Sequence, residues 1–87
     1  MYYSWFVYIV ECGDETLYVG SAKDVEKRIK DHNTTNQCRY TRGRKPVKLQ
    51  YKEKCRDYGA ARKREAALKK LTRKDKLELI NSKRRSG

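Results

Sequence analysis

The stretch SWFVYIVECGDETLYVG, residues 4–20, decides the fold. In its first half Trp5, Val7 and Ile9 form one alternating set, and Phe6, Tyr8 and Val10 form the other. Both sets are apolar, which predicts a strand covered on both faces. Gly13-Asp14-Glu15 is turn chemistry, and Thr16 to Gly20 is β-branched and aromatic enough to be a second strand. The two runs predict an antiparallel hairpin. A three-residue loop is expected to set Tyr8 and Tyr18 facing each other across the ladder, with the register left open.

Outward from the hairpin, Asp24 is placed to cap a helix from Val25 to about His32, with Val25 and Ile29 inward at i, i+4. Residues 33–45 (NTTNQCRYTRGRK) have no period and no acid, and read as a basic loop. Pro46 opens a third strand in which Val47, Leu49 and Tyr51 alternate with Lys48, Gln50 and Lys52, predicting one buried face. Gly59 precedes an Ala-rich helix ending near Leu71, with Ala60, Ala61, Arg64, Ala67, Leu68 and Leu71 at helical spacing. Thr72 and Asp75 form a capping-box-like start for a last helix to about Ile80, with Leu77 and Ile80 inward. The order β-β-α-β-α-α predicts an α+β fold, a three-stranded, mostly antiparallel sheet flanked by helices. It is expected to occupy a single domain over 1–82, with 83–87 a frayed basic tail.

Charge is the first indication of a partner. The chain of 87 residues carries a formal net charge of +12. Its first 22 residues hold Glu11, Asp14 and Glu15 and no base, so the whole excess lies in the remainder. Such a field attracts polyanions, and phosphate neutralisation dominates non-specific nucleic-acid binding. No apolar run reaches the ~20 residues of a membrane span, and no basic helix shows a broad apolar face, so a membrane partner is not expected. The N-terminus lacks the basic and small-residue regions of a secretory signal, which places the domain in the cytoplasm as an expectation. Cys12, Cys38 and Cys55 are odd in number and widely spaced. They fit buried thiols better than a disulfide framework or a zinc site.

Five side chains could carry chemistry. Tyr8 and Tyr18 lie on the two hairpin strands, and Arg28 and His32 are i, i+4 on the first helix. Glu65 is the only acid between Asp57 and Asp75, set among Arg62, Lys63, Arg64, Lys69 and Lys70. Each also has a plain reading: core tyrosines, an Arg28–Asp24 pair, a helix-capping histidine, a glutamate balancing its neighbours.

As an ordered set they resemble the GIY-YIG nuclease domain. The resemblance runs through Val7-Tyr8-Ile9, the turn, Tyr18-Val19-Gly20, Arg28, His32 and Glu65. The blocks Arg39-Tyr40-Thr41-Arg42-Gly43-Arg44-Lys45-Pro46 and Arg64 to Arg73 are similar to the small stand-alone UPF0213 branch of that family. Val7 stands where the name-giving motif has Gly, and Val19 where it has Ile. His32 replaces a Tyr, and Ser21 a Lys, found in some members. The resemblance implies metal-dependent phosphodiester hydrolysis, with Glu65 holding one Mg²⁺ (or Mn²⁺) and Arg28 neutralising developing charge. Tyr8, Tyr18 or His32 would orient or deprotonate the attacking water, and Gly20 would let the backbone approach the site.

Arg39, Tyr40, Arg42, Arg44, Lys45 and Arg64 are the expected nucleic-acid contacts, with Tyr40 offering a ring for stacking. The expected substrate is nucleic acid, DNA ahead of RNA, recognised by structure rather than sequence. A protein partner could supply targeting. The default is a monomer, because one metal site attacks one phosphate at a time. Two other classes stay open: a binding module that keeps the nuclease fold, and a small basic protein docking on a ribonucleoprotein.

Overall fold

β1 (Trp5–Glu11) is the central strand of a three-stranded sheet, paired antiparallel with β2 (Leu17–Ala22) on one side and β3 (Lys48–Cys55) on the other. The computed structural model describes residues 4–34 and 46–86. A central strand between two helical layers must be apolar on both faces, and Val7, Tyr8, Ile9 and Val10 are all buried. Val7 and Ile9 pack with Val19, Tyr51, Cys55, Ala61, Leu68 and Ile80, which brings in helices α2 (Tyr58–Lys69) and α3 (Arg73–Ser86). Tyr8 and Val10 pack with Cys12, Ala22, Val25 and Val47, under helix α1 (Val25–Thr34). The order is β-β-α-β-α-α, as expected, and the sheet is wholly antiparallel.

The helix starts follow the capping residues. Asp24 Oδ1 accepts from the Lys27 amide at 3.0 Å, and Thr72 Oγ1 accepts from the Asp75 amide at 3.1 Å. α2 is capped by Asp57, whose carboxylate accepts from the Ala60 amide at 2.8 Å, so Gly59 lies inside the first turn rather than ahead of it. Cys12 and Cys55 are buried. Among the described residues no helix is long and apolar enough to cross a membrane.

Four expectations need correction. The hairpin loop does have three residues, but it pairs Glu11 with Leu17, so Tyr8 falls opposite Gly20 and Tyr18 opposite Val10. Tyr8 is four residues before Cys12 and Tyr18 only two after Thr16, so they are diagonal neighbours on one face. β3 does not bury a single alternating face either. The register passes from Ile9–Tyr51 to Val10–Leu49, leaving Gln50 as the extra residue of a bulge. The bulge reverses the alternation: Val47 joins the α1 face, Tyr51 the α2 face, and Leu49 is exposed. On α3, Leu77 is exposed, and Leu79 joins Ile80 against the core. That helix runs to Ser86 instead of stopping near Ile80.

Candidate active site

The hairpin register creates the site. With Gly20 opposite Tyr8, a Cβ at position 20 would lie 2.5 Å from Tyr8 Oη, 2.6 Å from Tyr8 Cζ and 3.2 Å from Tyr18 Cε2. The Tyr8 ring therefore lies across a bare Cα. Gly20 does not use left-handed backbone, so the missing side chain is what this position requires. The close approach at Gly20 in the folded chain is that of the Tyr8 ring.

α1 brings His32 against both tyrosines. His32 Nε2 is 3.1 Å from Tyr8 Oη, and the imidazole meets the Tyr18 ring edge-on with centroids 5.7 Å apart. The histidine is buried. Burial pushes its pKa below 6.5, the Arg28 guanidinium pushes it further down, and Asp31 opposes them weakly. The ring is consequently neutral at pH 7, with one N–H and one lone pair. Nε2 accepts the Tyr8 proton when Nδ1 carries the hydrogen, and donates in the other tautomer. Arg28, one turn before His32, is exposed at the mouth.

Glu65 arrives from the other face of the sheet. It sits on α2, and it meets side chains of the α1 face in one pocket beside β2, an outer strand of the β2-β1-β3 order. Its carboxylate is 2.8 Å from Lys69 Nζ and largely sheltered. Burial raises its pKa. Hydrogen bonding from Lys69 and Ser21, and the charges of Lys69 and Arg62, outweigh that and hold it below 4.5. Glu65 is thus ionised at neutral pH. Ser21 was not among the sequence candidates. Strand parity could have found it, since Ser21 shares the face of Val19 and so looks toward α2.

Tyr8, Tyr18, Gly20, Ser21, Arg28, His32 and Glu65 together line a pocket of about 270 Å³. All five chemistry-bearing residues singled out in the sequence, drawn from β1, β2, α1 and α2, meet there. Among the described residues no three His, Cys, Asp or Glu side chains gather as a multi-ligand metal site. One ionised carboxylate in an open pocket suits a hard, mostly hydrated cation such as Mg²⁺, which needs few protein ligands. It does not suit zinc, which wants three or four nitrogen or sulfur donors.

Arg64 lies elsewhere. Its Nε donates to both oxygens of Glu53, at 3.2 and 2.9 Å, while Tyr51 Oη donates to Glu53 Oε1 at 2.5 Å. The guanidinium proposed for phosphate is engaged in this β3–α2 network. Arg39, Tyr40, Arg42, Arg44 and Lys45 lie outside the described residues.

The chain is similar to known proteins over most of its length. Residues 4–78 match the GIY-YIG catalytic domain. A UPF0213 protein of Clostridium perfringens is 53% identical over 78 residues, covering 90% of this chain and 84% of that one. Another from Desulfotalea psychrophila is 48% identical over 80 residues, covering 91% and 73%. The solution NMR structure of a UPF0213 protein from Bacillus halodurans superimposes with a TM-score of 0.60 at 36% identity, covering 92% of this chain and 85% of that one.

Proposed function

The chain belongs to the GIY-YIG family, in its UPF0213 branch, and from that premise we propose that it is a Mg²⁺-dependent, structure-selective endonuclease acting on nucleic acid, DNA ahead of RNA. The observation that carries the reading is the meeting of Tyr8, Tyr18, Arg28, His32 and Glu65 in one pocket of a chain with net charge +12. A pure binding surface has no use for an ionised carboxylate sheltered among cations. A phosphodiesterase does.

Glu65 is the residue that would hold the cation, which supplies charge neutralisation and an acidified water. Lys69 must yield part of its hold on Glu65 for this to happen. Arg28, exposed at the pocket mouth, is placed to bind the non-bridging phosphate oxygens and to stabilise the extra charge of the pentavalent transition state. Tyr8, backed by a neutral His32, is the best-placed proton acceptor. As water adds to phosphorus, its proton passes to Tyr8 Oη while the Tyr8 proton passes to His32 Nε2. The bond to the leaving oxygen breaks, and that oxygen takes a proton from solvent. Tyr18, packed on the His32 ring edge, holds the imidazole in line. We place the protein in the cytoplasm, working as a monomer with targeting left to a partner.

The test is a panel of labelled duplex, single-strand, flap, nicked and branched DNA and a structured RNA, with Mg²⁺, Mn²⁺ or EDTA. Metal-dependent cutting that Glu65→Ala reduces about 10²–10³-fold is the expected result. Salt-sensitive binding without cutting, indifferent to metal and to Glu65→Ala, would instead mark a non-catalytic binding module.

A further inference from the structure

Next to the pocket, four side chains from three segments form a ladder, two packed rings with a cation at each end. The Trp5 and Tyr58 rings pack with centroids 4.6 Å apart. Lys23 Nζ lies 5.5 Å from the Trp5 centroid, and the Arg62 guanidinium 5.7 Å from that of Tyr58. Arg62 Nη1 also donates to Tyr58 Oη at 2.8 Å. Trp5 rests on the core, while Tyr58 is 47% exposed at the first turn of α2, so the ladder runs from the core to the surface.

Both ends of the ladder adjoin the catalytic pocket. Lys23 shares a depression of about 260 Å³ with Arg28, which lines the pocket itself. Arg62 lies on α2 one turn before Glu65 and acts on its charge. Lys23 is two residues beyond Ser21, about 7 Å along the strand direction, within reach of the neighbouring nucleotide.

We propose that the Lys23–Trp5–Tyr58–Arg62 ladder is a subsite for an unpaired nucleotide next to the scissile phosphate. The inference rests on the nuclease reading for its substrate and names the feature of that substrate which is selected. The two cations carry the charge that complements a phosphate backbone. The Arg62 guanidinium, laid against the half-exposed Tyr58 ring, offers a flat cationic face on which an unstacked base settles. A base held within a duplex cannot present its face to this ledge. The subsite therefore favours substrates with single-stranded character at the cut, whatever their sequence.

Trp5 is the only tryptophan, so its emission reports on the ladder directly. The experiment titrates the full chain with a short oligothymidine and with a duplex of equal length, following Trp5 fluorescence without added metal. The single strand is expected to quench Trp5. Tyr58→Ala is expected to weaken single-strand binding about tenfold, the loss of one stacked base, with duplex affinity unchanged. Tyr58→Phe keeps the ring and retains most of the affinity. Arg62→Ala lowers the salt dependence of single-strand binding by about one phosphate contact. Unchanged Trp5 emission, or equal loss of single-strand and duplex affinity in Tyr58→Ala, overturns the subsite. Should either occur while Mg²⁺-dependent cutting persists, the ladder fails and the nuclease reading stands. If the single strand quenches Trp5 as expected in a protein that cuts nothing, the subsite stands and the nuclease reading fails.

Discussion

Val7 and Ile9 leave β1 toward α2 and α3, and Tyr8 and Val10 leave it toward α1, yet the two faces of this one strand are built differently. The α2 side is closed by apolar groups, with Leu68 and Ala61 fully buried against Ile9 and Val7. The α1 side carries the buried imidazole, and a tyrosine hydroxyl bonded to it. Burying such groups is tolerable only because they satisfy each other. Both faces gain stability from area removed from water, with Val10, Val25 and Val47 buried under α1, and this packing holds the polar groups in place. Perturbing the apolar core under α2 should therefore move stability, and perturbing the polar groups of the pocket, Glu65 of α2 included, should move chemistry.

Leu68→Ala tests the apolar face and has the largest expected effect on stability, a loss of about 2–5 kcal/mol for a buried leucine that leaves a cavity. The cutting rate per folded molecule should be unchanged. Chemical denaturation and a cleavage assay on the same sample separate the two effects. Gly20→Ala sits where the faces interact most closely. The added methyl strikes Tyr8, whose ring is buried and whose hydroxyl is bonded to His32, so it cannot simply swing away. A stability loss of about 1–3 kcal/mol is expected, with a fall in cutting larger than the unfolded fraction explains. Equal cutting per folded molecule would show that Tyr8 has no role in the chemistry.

The smallest effect concerns pH. His32 has a folded-state pKa below its unfolded value, since burial and Arg28 disfavour the imidazolium. The unfolded chain then binds the proton more readily. The contribution of His32 to stability is whole above pH 6.5 and is lost as pH falls through the folded value. A denaturation series across that window should show stability falling with acid in the wild type and a flatter curve in His32→Gln. The cutting rate should decline over the same range, because an imidazolium cannot take a proton from Tyr8.

Much of this was legible in the sequence because it depends on local period and chemistry. The double alternation of β1 and the caps Asp24 and Thr72 are short-range patterns, whereas Tyr8, Tyr18, Arg28, His32 and Glu65 were legible as a set through their resemblance to the GIY-YIG domain. What the sequence hid depends on how segments meet. Alternation says which residues share a face of one strand, but not which residue of the next strand lies opposite. Hence the Tyr8–Gly20 pairing was missed, and with it the reason for the glycine. The Gln50 bulge reverses a parity that looks unbroken in Val47, Leu49 and Tyr51. Arg64 reads as a phosphate contact from its place in a basic run, and only the fold reveals its pairing with Glu53, eleven residues earlier on β3. Trp5 and Tyr58 are further apart still, and only the fold brings their rings together.

The most direct test of the account compares wild type with Glu65→Gln, which keeps the shape of the side chain and removes its charge. Substrate affinity without metal and the single-turnover cutting rate with Mg²⁺ are measured on the best substrate of the panel. The account predicts affinity within about twofold of wild type and a cutting rate lower by about 10²–10³-fold. A variant that cuts as fast as wild type would contradict it, because the carboxylate at the centre of the pocket would then have no part in the reaction.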